Sequence, residues 1–83
     1  MFPLLDPRRL ETFRVVAHMG QVSAAARSLN LSQPAVTAQI RQLEADLGRS
    51  LFTRHPSGVQ MTEAGHLLMD RSEEHTSELQ SQR

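Results

Sequence analysis

Two residues constrain this chain more than any others. Asn30 and Leu31 are all that separates two stretches with helix signals of their own. Upstream, AAARSL is rich in alanine and favours helix. Ser23 stands where it would cap that helix, and Asn30 tolerates the left-handed geometry that ends one. Downstream, Ser32 can accept hydrogen bonds from the free amides of a first turn. Pro34 falls where its missing N–H costs little, and Gly48 supplies a stop. Helices joined by so short a turn must cross steeply, and Leu29 and Leu31 are expected to pin the crossing. The alanines let a neighbouring helix approach closely. Together these signals predict a helix-turn-helix, with the second helix, residues 33–47, offered outward.

The two sides of that second helix differ. Val36, Ile40, Leu43 and Leu47 recur at spacings of four, three and four and form one buried stripe. Away from it lie Gln33, Thr37 and Arg41, with Pro34 and Ala38 beside them and no acid until Glu44. Amide, hydroxyl and guanidinium groups on one face suit a DNA major groove. Glutamine pairs bidentately with adenine and arginine with guanine. Arg41, further along the helix, is better placed for a phosphate. On a lone helix the same face would read as ordinary solvated surface; the short turn before it favours recognition.

The flanking sequence supports such a presentation. Asp6 and Pro7 open a first helix over roughly 7 to 19, with Leu10, Phe13, Val16 and Ala17 on one side and Gly20 as its stop. After Gly48, SLFTR and VQMT flank the turn-like HPSG and predict a two-stranded wing with its tip at about residues 55 to 58. Two short strands are marginal alone, so Leu51, Phe52 and Met61 are expected to anchor the wing on the helices. Arg54 and His55 would then meet a phosphate or the minor groove. Thr62 caps a last helix whose buried side is expected to hold Ala64, Leu67 and Leu68, and which can continue towards residue 80. The fold expected is mainly α, a winged helix-turn-helix of three helices, a short two-stranded wing and the start of a linker helix. Residues 1–61 form the winged domain and 62–70 the start of that linker.

Composition sets the outer limits. Eighty-three residues, 39% of them hydrophobic, allow one small domain with a small core. The absence of cysteine excludes disulfides and thiolate metal sites and suits a reducing, cytoplasmic setting. No apolar run is long enough to span a bilayer, and MFPLLDPRRLE lacks the features of a secretory leader. Net charge is zero but unevenly spread. From residue 8 to 60, seven arginines stand against Glu11, Glu44 and Asp46, a balance of +4, while acids gather towards the C-terminal end. A basic body of this kind favours phosphate backbones. His66, Asp70 and Glu74 recur on one face of the last helix, types able to ligate a metal, but read as a solvated stripe. No nucleophile with a matching base, glycine-rich phosphate loop or carboxylate pair points to catalysis, and no cofactor is expected.

The run VSAAARSLNLSQPAVTAQIRQLEADLGRSLFTR, followed by TEAG, resembles the N-terminal DNA-binding domain of LysR-type transcriptional regulators over about residues 7–70. The resemblance implies sequence-specific binding to double-stranded DNA at an inverted-repeat operator. It also implies a homodimer through the linker helix, and a co-inducer bound by a larger effector domain outside this sequence. It places Gln33, Pro34 and Thr37 where the recognition helix meets bases and backbone, and Arg54 at the wing arginine. Ser23 and Ser32 fall at helix starts that approach phosphates. Thr37 stands where serine is commoner. Ala38 stands where some members carry arginine, so one base contact is either missing or replaced by apolar contact with a thymine methyl.

Past Asp70 the likeness ends. Residues 71–81, RSEEHTSELQS, match the in-frame translation of a common short-read sequencing adapter, so residues 71–83 are expected to be a non-native tail. Resequencing the source locus tests this; native codons running through the segment would refute it. Two other readings stay open: a dimerisation or interaction module, and a truncated fragment without function.

Overall fold

The computed structural model describes residues 6–72. Among these, four helices and two strands follow one another as α1 (Pro7–Met19), α2 (Val22–Leu29), α3 (Gln33–Leu47), β1 (Phe52–His55), β2 (Gly58–Met61) and α4 (Glu63–Ser72). Residues 73–83, which hold most of the adapter-like string, Glu74 and any continuation of the last helix towards residue 80, lie outside the described residues; Arg71 and Ser72 complete α4.

The helix boundaries follow from local chemistry. Asp6 Oδ1 accepts the Arg8 amide at 2.9 Å and Pro7 opens α1, which stops at Gly20 in the left-handed conformation. Ser32 Oγ accepts the Ala35 amide at 3.2 Å and starts α3; Thr62 Oγ1 does the same for Gly65 at 3.1 Å and starts α4. Two helices end in the six-to-one hydrogen bond of a Schellman turn. The Leu31 amide bonds the Ala26 carbonyl at 2.8 Å, and the Arg49 amide bonds the Glu44 carbonyl at 3.2 Å.

Three expectations need correction. Ser23 does not cap α2. That helix begins two residues earlier, at Val22, after an extended Gln21 with no side-chain cap, because the left-handed Gly20 turns the chain and Val22 packs against the core. Leu31 does not pin the α2–α3 crossing. It is 37% exposed, and the backbone bond to Ala26 together with left-handed Asn30 holds the turn instead. Leu67 is not on the buried side of α4 but 56% exposed. Gly65 packs so closely on Leu51 that an added Cβ would lie 2.4 Å from the Leu51 carbonyl oxygen. That contact turns Gly65 and Leu68 inward, and Leu67, about 200° away around the helix, outward.

One core holds the elements together. Phe13 and Val16 of α1, Ala25 and Ala26 of α2, Val36, Ile40 and Leu43 of α3, Leu51 and Leu68 are all buried. The two alanines let α2 lie close against its neighbours. Phe52 anchors the wing with its ring centroid 5.4 Å from that of Phe13, and Met61 packs on the same core. The wing pairs antiparallel in the register Phe52–Met61, Thr53–Gln60, Arg54–Val59 and His55–Gly58. Its free edge is not loose. The Val59 amide donates to the Gly20 carbonyl at 2.8 Å, and Gln21 Nε2 to the Ser57 carbonyl at 3.4 Å. Gly58, at φ +147°, comes so near Gly20 that a Cβ would sit 2.1 Å from its carbonyl oxygen. The wing is thus docked on the α1–α2 turn.

Candidate nucleic-acid interface

The site is assembled from α3, the N-terminus of α2 and the wing. Val36, Ile40 and Leu43 turn one side of α3 into the core. The helical repeat then forces Gln33, Pro34, Thr37, Ala38 and Arg41 onto a single shallow outer surface. All are exposed except Thr37, which is half-buried. Neither α2 nor α3 carries an acid in its first turn. Their N-terminal amides therefore keep the positive end of the helix dipole unopposed by local carboxylates.

Beside this surface the wing closes two clefts. The first, about 420 Å³, lies between α3 and β1–β2 and is lined by Thr37, Arg41 and Glu44 on one side and Phe52, Arg54 and Val59 on the other. Strand alternation accounts for Arg54: Phe52 anchors one face of the ribbon, and Arg54, two residues on, shares it. The second cleft, about 390 Å³, runs under the wing tip, where Ser23 and Gln33 face Arg54, His55 and Ser57. Seven of the eight residues singled out in the sequence, Ser23, Gln33, Pro34, Thr37, Ala38, Arg41 and Arg54, line this continuous surface. Ser32 is occupied as the α3 cap. Arg41 and Arg54 join no ion pair among the described residues; pairs such as Arg9–Asp46 at 3.9 Å and Arg14–Glu11 at 3.6 Å lie elsewhere.

The structure adds residues that sequence reasoning passed over. Glu44 Oε2 accepts the Leu51 amide at 2.9 Å, tying α3 to the root of the wing. Gln21 holds the wing tip. Glu44 left one trace in the sequence, as the first acid on an otherwise acid-free face; Gln21 left none. On α4, His66 and Asp70 are exposed, and among the described residues no group of three potential ligands is positioned around a metal.

The model of the bacterial regulatory helix-turn-helix proteins of the lysR family matches residues 7–66. The chain belongs to that family. It is similar to the regulator TcbR of Pseudomonas sp. strain P51, 44% identical over 66 residues, which are 80% of this chain and 22% of TcbR. The chain therefore spans about a quarter of the length of the curated relatives it matches. A lysR-family regulator from Eggerthella lenta superposes with a TM-score of 0.76 at 40% identity, over 81% of this chain and 96% of that one. The DNA-binding domain of CbnR, solved in complex with DNA, superposes with a TM-score of 0.80 at 38% identity, over 94% and 88% of the two chains. The fold of this lysR-family chain is accordingly a winged-helix DNA-binding domain.

Proposed function

We propose that this domain binds double-stranded DNA sequence-specifically, with α3 in the major groove and the wing near residues 54–58 on the backbone or minor groove. The observation that carries this reading is the acid-free outer surface of α3, Gln33, Pro34, Thr37, Ala38 and Arg41, continuous with a wing arginine that joins no ion pair among the described residues. Gln33, nearest the helix start, reads adenine through its amide, and Pro34 with Ala38 offers an apolar ledge to a thymine methyl. Arg41 and Arg54 meet phosphates. Ser23 and Ser32, with the amides of the α2 and α3 N-termini, receive the backbone on either side. The CbnR domain in its complex with DNA supports this assignment through its likeness to the present fold.

In the longer protein, we infer transcriptional regulation from the cytoplasm by a homodimer at an inverted-repeat site. Exposed Leu67 on α4 supplies an apolar contact for a second copy, and a separate effector domain takes a small-molecule co-inducer. No helix among the described residues is long and apolar enough to cross a membrane, and the relatives are regulators, not enzymes. The test is selection from a pool of randomised duplexes, followed by titration of the enriched duplex and a scrambled one. Enrichment of a shared motif with tighter binding supports the reading. Equal binding to both duplexes contradicts it. Sedimentation of the same chain decides the interaction-module alternative, which requires dimers that do not shift DNA.

A further inference from the structure

Glu44 is out of place on electrostatic grounds. It lines the cleft between α3 and the wing together with Arg41 and Arg54, yet it makes no ion pair with either among the described residues. A carboxylate beside a phosphate-binding cleft repels the ligand the arginines attract. Its side chain is instead committed to the backbone. Oε2 accepts the Leu51 amide at 2.9 Å, in a half-buried setting.

Leu51 is the residue at which the wing is mounted. Its side chain is fully buried. Its carbonyl accepts the Thr62 amide at 2.9 Å, and the preceding Ser50 carbonyl accepts Thr62 Oγ1 at 2.6 Å. Gly65 presses against the same carbonyl, close enough to exclude any Cβ. On this side α4 grips the wing root. On the other side the grip comes from Glu44 of α3, whose own carbonyl accepts the amides of Gly48 and Arg49 at the helix end. One residue thus closes the reading helix through its backbone and holds the residue just before the wing through its carboxylate. Arg54 lies three residues further along the strand that Leu51 introduces.

We propose that Glu44 is the positioning residue that sets Arg54 against the reading helix, so that base-reading face and wing arginine meet one duplex at a fixed separation. Its charge is incidental to this role; its acceptor oxygen is the working part. The proposal rests on the DNA-binding reading, and its test keeps the two apart.

The test compares E44Q, E44A, R54A and the E44A/R54A double variant on the selected duplex at several salt concentrations. A glutamine oxygen can still accept the Leu51 amide, while alanine cannot. E44Q should bind at least as tightly as wild type, with an unchanged salt slope. E44A, with the same net charge as E44Q, should bind about three- to tenfold more weakly, the range set by one hydrogen bond. Its salt slope should fall towards that of R54A, by up to about one. In the R54A background the loss caused by E44A should largely vanish, since the two act through one contact. Amide exchange at Leu51 should stay slow in E44Q and quicken in E44A. If E44A fails to fold, E44D serves in its place: its charge is native but its reach is short, so it should weaken binding where E44Q does not. Equal binding by E44A and E44Q, or tightening by both, would make Glu44 merely an acid near DNA and overturn the proposal. Wild-type protein that fails to prefer the selected duplex would instead refute the DNA-binding reading itself.

Discussion

At the scale of single residues, specificity and affinity divide, on the proposed reading, between Gln33 and Arg54. Gln33 is exposed at the start of α3, and the proposed reading gives its side-chain amide the base edges. Replacing it with alanine should cost about 1–3 kcal/mol against the preferred duplex and much less against a scrambled one. Equal losses on both duplexes would remove its base-reading role. Arg54 carries a guanidinium at the edge of the cleft that joins no ion pair among the described residues. Arg54→Ala should weaken both duplexes alike and lower the slope of log affinity against log salt by about one. The exposed placement of both residues was legible in the sequence, because polar types on one side of a well-marked helix and at a strand end carry their own signal. Glu44 was legible only as an anomaly. Its partner is a backbone amide seven residues away, and a backbone amide leaves no mark in a sequence.

At the scale of elements, caps and turns decide where each piece starts and how it is aimed. Ser32 and Ser23 make a matched pair. Ser32 caps α3 with its hydroxyl, whereas Ser23 lies inside α2 and caps nothing. Ser32→Ala should therefore cost about 1 kcal/mol in urea denaturation, and Ser23→Ala no more than about 0.5 kcal/mol. A reversed order would restore Ser23 as the cap. The sequence pointed to Ser23 because serine is a common cap; the left-handed turn at Gly20 and the packing of half-buried Val22 against the core outweigh that preference. The wing shows the same limit. Its strands and tip were readable from β-branched residues and HPSG, but its docking on Gly20 was not, since that contact joins main chains far apart in sequence. Gly58 is where the docking is most exposed to test. A Cβ there meets the Gly20 carbonyl in a backbone conformation that side chains rarely adopt. Gly58→Ala should cost on the order of 1–3 kcal/mol in thermal unfolding and weaken binding of DNA by misplacing Arg54. Unchanged stability and binding would show that the wing does not need this contact.

At the scale of the whole molecule, a small core is spent on fixing one helix relative to one hairpin. Phe13, at its centre, touches the wing through Phe52 and shares the cluster with Val36, Ile40 and Leu43 of α3. The hydrophobic stripe of α3 was plain from its spacing, and so was the polar face it leaves outside. The direction of α4 was less plain, because Leu67 and Leu68 are equal in hydrophobicity and only the close packing of Gly65 on Leu51 distinguishes them. On the proposed reading, the outer surface of α3 and the wing arginine contact DNA together. Backbone amide shifts of the whole 83-residue chain, followed during titration with the selected duplex, show which surfaces meet the DNA. The largest changes should fall on Gln33, Thr37, Ala38, Arg41, Arg54 and the amides opening α2, with His66 and Leu67 of α4 little changed. Changes concentrated on α4 or on the outer side of α1, with α3 and the wing silent, would contradict that reading.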